Sequence, residues 1–282
     1  MAINWFPGHM NKARREIAKA MPKVDLIMEV LDARIPFSSE NPLVPELRND
    51  TPCLKLLNKC DLADPDVTAA WIAELEKEEG ITALAVQRKY PDKIKSLLKL
   101  APKLARGDRQ KTRPLSIMIL GIPNVGKSTI INTLCGRIIA KTGNVPAVTK
   151  KQQQVRAGKN IVLHDTPGFL WPKLSPEACG YRLAVTGAIK DAVIDYVDIA
   201  FFAADFLGKT YPEALIKRYG LEEIPSETEQ LMEAIGLRRA CVGKGGGVNL
   251  NKVSEILIRE LRQGALGPLS LEAPDGYFGD LA

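Results

Sequence analysis

Short apolar runs separated by amphipathic stretches dominate the first 165 residues of the chain. The runs at 24–31, 53–57, 81–86, 115–120 and 161–164 are nearly unbroken, a pattern that predicts buried strands. Between them, 66–79 and 91–106 carry a helical period. In the second, Ile94, Leu97, Leu98 and Ala101 share one face and Pro91 sits in the first turn. Residues 128–135 predict a further helix, and the polar stretch 107–114 a linker. From about Ser175 onward the pattern becomes helical, with Val253, Ile256, Leu257 and Leu261 on one face and Lys252, Arg259 and Arg262 elsewhere. The glycine-rich run 243–247 reads as a loop before that last helix. Strands alternating with helices imply an α/β fold with a doubly wound, mostly parallel sheet that binds ligands at the strands' carboxyl ends. A small all-α domain follows, which places the domains at 1–174 and 175–282.

Composition narrows the class without naming a function. With 282 residues, 45% of them hydrophobic and 26% charged, the chain has room for one α/β domain and a second of roughly 100 residues. No apolar run reaches membrane-spanning length, and the N-terminus lacks the apolar core of a secretory signal, so the expected location is the cytoplasm. The five cysteines are scattered, without a CxxC pair, and read as reduced thiols.

The chemistry is concentrated in three short segments. Gly121-Ile122-Pro123-Asn124-Val125-Gly126-Lys127-Ser128 lies between an apolar strand and a helix, the setting of a phosphate-binding loop. Its backbone amides and the helix N-terminus suit a polyphosphate. Lys127 would reach the outer phosphates, the Ser128 hydroxyl would ligate magnesium, and Thr129 continues the motif. Asn58-Lys59-Cys60-Asp61 follows another strand and reads as a guanine selector. The Asp61 carboxylate can accept from guanine N1–H and its exocyclic amine together. Adenine would set acceptor against acceptor, which disfavours an ATP-driven enzyme. Asn58 would brace neighbouring loops and the Lys59 stem would cover the base. Asp165-Thr166-Pro167-Gly168 would hold magnesium through Asp165 and sense the γ-phosphate through the Gly168 N–H. The base selector precedes the phosphate loop in the chain, the reverse of an ordinary GTPase, as if such a protein had been joined head to tail and reopened elsewhere.

Three further positions bear on catalysis. Thr149, in the loop before Asp165, is the candidate magnesium-sensing switch threonine. Position 169, where many GTPases carry a water-orienting glutamine, is Phe169, so intrinsic hydrolysis should be slow or be helped from elsewhere. Of the two histidines, His164 reads as a strand residue with a satisfied hydrogen bond. His9, in the rigid segment Trp5-Phe6-Pro7-Gly8-His9, is either a packed anchor or the group that orients water. The candidate catalytic residues are thus His9, Thr149 and Gly168.

The net charge of +6 is unevenly spread. Residues 137–159 carry six bases and no acid, 1–23 five bases against Glu16, and 236–267 six bases against Glu255 and Glu260. Three basic clusters around a nucleotide site favour a polyanionic partner, RNA, with Arg238, Arg239 and Lys244 as candidate contacts. Acid collects at 64–79 and 222–233.

Taken together, WFPGHMxKARR at 5–15, DARIPxSxxNP at 32–42, NKxD, GIPNVGKST at 121–129 and DTPGxLWPK at 165–173 closely resemble the circularly permuted bacterial ribosome-biogenesis GTPases of the YlqF/RbgA type, essentially end to end. The resemblance implies a P-loop GTPase that matures the large ribosomal subunit and binds its rRNA through a helical C-terminal domain. It also implies help from the N-terminal histidine and stimulation by potassium through Asn124. Two positions depart from the family pattern. The switch motif is Pro146-Ala147-Val148-Thr149, with alanine where glycine is usual. The base-contacting Ser-Ala-type loop has no clear match and is placed at Ala85, Val86 and Gln87 by position. The expected function is a GTPase switch in large-subunit assembly, with magnesium as cofactor, GTP and GDP as ligands, and a monomeric state. Its rival is a GTP-binding RNA scaffold in which hydrolysis is incidental.

Overall fold

The computed structural model describes residues 15, 17–105, 113–139, 153–166, 168, 170, 176–243 and 245–275. The apolar runs form strands β1 (Leu26–Asp32), β2 (Cys53–Asn58), β3 (Ile81–Val86), β4 (Leu115–Gly121) and β6 (Ile161–Asp165), joined by a strand the hydrophobic pattern does not announce, β5 (Gln153–Ala157). They make one six-stranded sheet in the order β3-β2-β1-β4-β6-β5. All neighbours are parallel except β5, which pairs antiparallel with β6 across the turn at Gly158. β1, β2 and β4 are buried along their whole length, as expected of strands covered on both faces.

Helix α1 spans Pro36–Ser39 and α2 Leu43–Arg48. Helix α3 (Pro65–Leu75) starts at Asp64, whose side chain accepts from the Asp66 and Val67 amides. It ends four residues before the predicted 79. Helix α4 (Pro91–Leu104) buries Ile94, Leu97 and Ala101, and packs against α5 (Lys127–Cys135). Beyond 175 the chain is helical as predicted: α6 (Glu177–Val185), α7 (Tyr196–Thr210), α8 (Pro212–Tyr219), α9 (Thr228–Arg238) and α10 (Leu250–Gln263). α10 buries Val253, Leu257, Ile258 and Leu261 against its neighbours, chiefly α7, while Ile256 is only partly covered. The expected boundary at 174/175 lies outside the described residues.

Apolar packing and several hydrogen bonds attach the helical part to the sheet. One apolar cluster runs from β1 and β4 through α6 and α7 into α10. After α10 the chain returns to the sheet: the Leu269 amide donates to the Leu62 carbonyl at 3.0 Å and the Leu271 amide to the Arg34 carbonyl at 2.8 Å. Glu272 is buried there, and its carboxylate accepts from the Ser38 amide at 2.8 Å and from the Ser38 hydroxyl. Arg182 of α6 lies 3.4 Å from the same carboxylate. No helix among the described residues is long and apolar enough to cross a membrane.

Candidate functional site: a guanine-nucleotide pocket

Strand register brings the scattered motifs to one edge. Asp32 is level with Asn58, Asn58 with Val86, Val30 with Gly121, and Ile119 with Asp165. Because these strands are parallel, their carboxyl ends share the edge where a doubly wound sheet binds its ligand. Chain order is therefore immaterial to the site.

The two principal loops touch. The Asn58 side-chain amide donates to the Val125 carbonyl at 2.7 Å, bracing one loop against the other. Gly126, at φ 98°, faces that amide so closely that a Cβ would overlap it. Asn124 adopts φ 58°, which Asn tolerates better than most residues. Its side-chain nitrogen donates to the Gly187 carbonyl at 2.8 Å, just beyond α6. Arg262 of α10 caps that helix, donating to the Val185 and Ala184 carbonyls at 2.9 and 2.8 Å. Through the Asn124 side chain the phosphate loop thus rests on the helical part.

Lys127 opens α5 and is buried. Burial holds its ammonium below the ordinary range, against the opposing pull of Asp165. Ser128 and Thr129, both half-buried, follow one and two positions further on at the start of the same helix. Asp165, buried at the end of β6, completes the phosphate end, with Thr166 donating its hydroxyl hydrogen to the Ile119 carbonyl. Gly168 lies against the phosphate loop: a Cβ there would be 3.0 Å from the Pro123 nitrogen, so no larger residue fits without displacing backbone.

At the base end, Lys59 sits in the left-handed region, with φ 59°. Its Nζ donates to Asp32 Oδ2 at 2.8 Å. Arg34 grips the same carboxylate twice, Nε to Oδ1 at 2.9 Å and Nη2 to Oδ2 at 2.8 Å. Burial alone would raise the Asp32 carboxyl, but these two cations hold it well below the usual carboxylate range. Burial also depresses Lys59, in spite of Asp32. Asp61 lies 3.7 Å from Lys89 Nζ. The Cys60 amide reaches the Val86 carbonyl at 3.3 Å, joining the base selector to the loop that contains Ala85, Val86 and Gln87.

Of the other predicted positions, His9, Thr149, Phe169 and Lys244 lie outside the described residues. His164 sits 2.9 Å from the Ser116 hydroxyl, the satisfied strand histidine expected. Arg238 is exposed, but Arg239 donates to Glu260 at 2.8 and 2.9 Å and lies over the Tyr219 ring. Glu260 also accepts from Arg218, so one carboxylate is shared between two guanidinium groups and a net positive charge remains there. The Asp32–Arg34 pair lies beside Lys59, within the DARIPxSxxNP motif at 32–42, although the motif alone assigns neither residue a role. A signal for it exists, since Asp32 closes a strand just as Asn58 does.

The segments expected to form a phosphate loop and a guanine selector meet at one sheet edge, the arrangement of a P-loop protein that binds guanine nucleotides. Comparisons with known proteins agree. Residues 116–235 match a family described as 50S ribosome-binding GTPase. The chain is 46% identical over 282 residues to ribosome biogenesis GTPase A of Bacillus licheniformis, covering 98% of this chain and 99% of that one. It is 45% identical to the protein of the same name from Bacillus pumilus, covering 98% and 100%. The structure of GNP-bound YlqF from T. maritima superposes with a TM-score of 0.66 at 28% identity, covering 94% of this chain and 99% of that one. The chain belongs to the ribosome biogenesis GTPase A family. It is a GTPase, hydrolysing GTP to GDP and phosphate, and acts in ribosome biogenesis.

Proposed function

We propose that this GTPase is a switch for assembly of the large ribosomal subunit, docked on ribosomal RNA in the cytoplasm, with a GTPase domain that is a circular permutation of the ordinary one. The observation that carries the switch reading is the hydrogen bond from Asn124 of the phosphate loop to the Gly187 carbonyl. A nucleotide that repositions this loop must move or break a contact with the helical part, and Gly168, pressed against Pro123, links the γ-phosphate sensor to the same loop.

Magnesium fits the residues present. Ser128 and Asp165 offer a hydroxyl and a carboxylate, hard oxygen donors that suit magnesium when phosphates complete the shell. No cluster of three or more His, Cys, Asp or Glu occurs among the described residues, consistent with a site that borrows ligands from its substrate. Bound there, magnesium would neutralise charge on the outer phosphates. Lys127 binds and orients those phosphates, and its ammonium, depressed by burial, regains its proton affinity beside them. The Asn124 amide oxygen is the donor proposed for potassium. His9 is proposed to orient the attacking water and Thr149 to sense the magnesium.

Co-sedimentation with separated ribosomal subunits tests the reading. The protein with a non-hydrolysable GTP analogue should pellet with the large subunit more tightly than with GDP, and linkage then requires the subunit to favour GTP by the same factor. Equal affinity in both states, or preference for the small subunit, would overturn it.

A further inference from the structure

Residues 88–113 are strongly basic, holding ten Lys or Arg against Asp92 and Asp108. That excess is larger than the net +6 of the whole protein. Residues 88–105 and 113 of this stretch are described. Arg113 is paired with Asp25 and Lys89 lies 3.7 Å from Asp61, while the rest of the described part is α4 and the turn before it. Ile94, Leu97 and Ala101 point into the core, which leaves Lys95, Lys99 and Lys103 exposed at successive i, i+4 positions. At 1.5 Å of rise per residue these ammonium groups form a stripe about 12 Å long. Lys95 is paired with Asp92 at 3.2 Å, whereas Arg88, Lys93, Lys99 and Lys103 have no acidic partner among the described residues. Tyr90, which precedes the first turn of α4, is 62% exposed, among the most exposed large hydrophobic residues described.

A line of cations beginning at an exposed aromatic ring is the combination that follows a single-stranded phosphate backbone and stacks one of its bases. We infer that the exposed face of α4, from Tyr90 to Lys103, is a binding surface for single-stranded RNA, separate from the basic C-terminal region. The inference rests on the proposed docking to ribosomal RNA and names a place for it. A membrane surface fits less well, because the apolar side of α4 is buried in the core and cannot insert among lipids. The position also matters. The Tyr90 amide donates to the Gln87 carbonyl at 3.2 Å, so the surface begins where the guanine-binding edge ends.

The test uses the full-length protein with a GTP analogue, measuring anisotropy of a fluorescein-labelled single-stranded RNA from about 50 to about 200 mM salt. Neutralising Lys95, Lys99 and Lys103 together (each Lys→Gln) should weaken binding at least tenfold. It should also lower the log–log salt slope by about 2, because each phosphate no longer neutralised reduces the slope by about 0.7. Tyr90→Ala should weaken binding roughly five- to a hundredfold with the slope unchanged, because stacking releases no counterions. Affinity for a fluorescent GDP should be unaltered in both variants, which shows the nucleotide site intact. Wild-type affinity and slope in the triple variant would overturn the inference. So would loss of binding to phosphatidylglycerol-containing vesicles with RNA binding retained, which would assign the face to a membrane. A wild-type protein that bound neither this RNA nor ribosomal subunits would overturn the proposed function as well. Subunit binding preserved in wild type and triple variant alike would remove the α4 surface alone.

Discussion

The side-chain amide of Asn58 donates to the carbonyl of Val125 at 2.7 Å, joining the guanine selector to the phosphate loop across 67 residues of chain. The bond constrains Gly126 more tightly than its φ of 98° alone would, because the space a side chain needs is already filled by the Asn58 amide. Gly126→Ala should therefore act twice, through backbone strain of about 1–3 kcal/mol and through displacement of Asn58. Thermal melting together with titration of a fluorescent guanine nucleotide checks this. The expected result is lower stability and at least tenfold weaker binding, with Asn58→Ala showing a milder loss of affinity. Wild-type affinity in Gly126→Ala would show that the two loops adjust independently.

Asp61 is expected to read the base independently of the Asn58 brace. Asp61→Asn should shift preference from guanosine toward xanthosine nucleotides, since an Asn side chain donates where the xanthine carbonyl accepts. Competition between GTP and XTP for the variant measures it. An undiminished preference for GTP would remove Asp61 from the base contact.

Asp32 holds two cations, the buried Arg34 and the half-buried Lys59, and its role is electrostatic. As a carboxylate held below its ordinary range, it contributes stability that is present above the unfolded carboxyl value and is lost as pH falls through its depressed folded one. Asp32→Asn removes that contribution at neutral pH and leaves Arg34 and Lys59 close together without a counter-charge, a change that typically costs about 3–5 kcal/mol. Denaturant unfolding at pH 7 should show the loss, and GTP affinity should fall because Lys59 is no longer held at the base edge. A variant as stable as the wild type would mean that solvent compensates the pair.

Glu29 behaves in the opposite sense. It is fully buried in mid-β1, level with Lys55, and accepts from the Asn41 amide at 2.9 Å. Burial raises its carboxyl from 4.5 to about 7, with Lys55 opposing and Glu40 adding to the rise. A raised acid contributes stability that is complete below its unfolded value and is lost as pH climbs to its folded one, here across the window from 4.5 to about 7. Wild-type melting temperature should fall across that window relative to Glu29→Gln, which keeps an acceptor for Asn41 without the titration. The difference should be about 3 kcal/mol, since one pKa unit corresponds to about 1.4 kcal/mol. Parallel pH profiles for the two proteins would contradict the assignment.

Much of this molecule is legible in its sequence because the parallel strands are apolar without interruption and the nucleotide motifs sit directly at their ends. β5 is not, although Val155 and Ala157 alternate with exposed Gln154 and Arg156. Five residues of period two within an acid-free run look like a solvated loop until a partner strand is known. The Asp32–Lys59 contact is illegible because it depends on register between strands, which no local pattern states. The Arg239–Glu260 pair is illegible for the same reason, since Glu260 lies on another helix and only packing brings the two together. The lysines of α4 resemble the polar side of any surface helix. Their scarcity of acidic neighbours becomes visible only when the surroundings are known.

The buried Glu272 has a consequence for the order in which the protein is made. Ser38, which it binds, lies 234 residues earlier, so at about 5–20 residues per second the β1–α1 corner waits on the order of tens of seconds for this partner. The base selector is synthesised early, yet the segment that donates to Arg34 and Leu62 beside it emerges only after the whole helical part. A growing chain therefore holds a complete phosphate loop well before its guanine edge is buttressed. For this GTPase, translation of its helices comes before completion of its own nucleotide site.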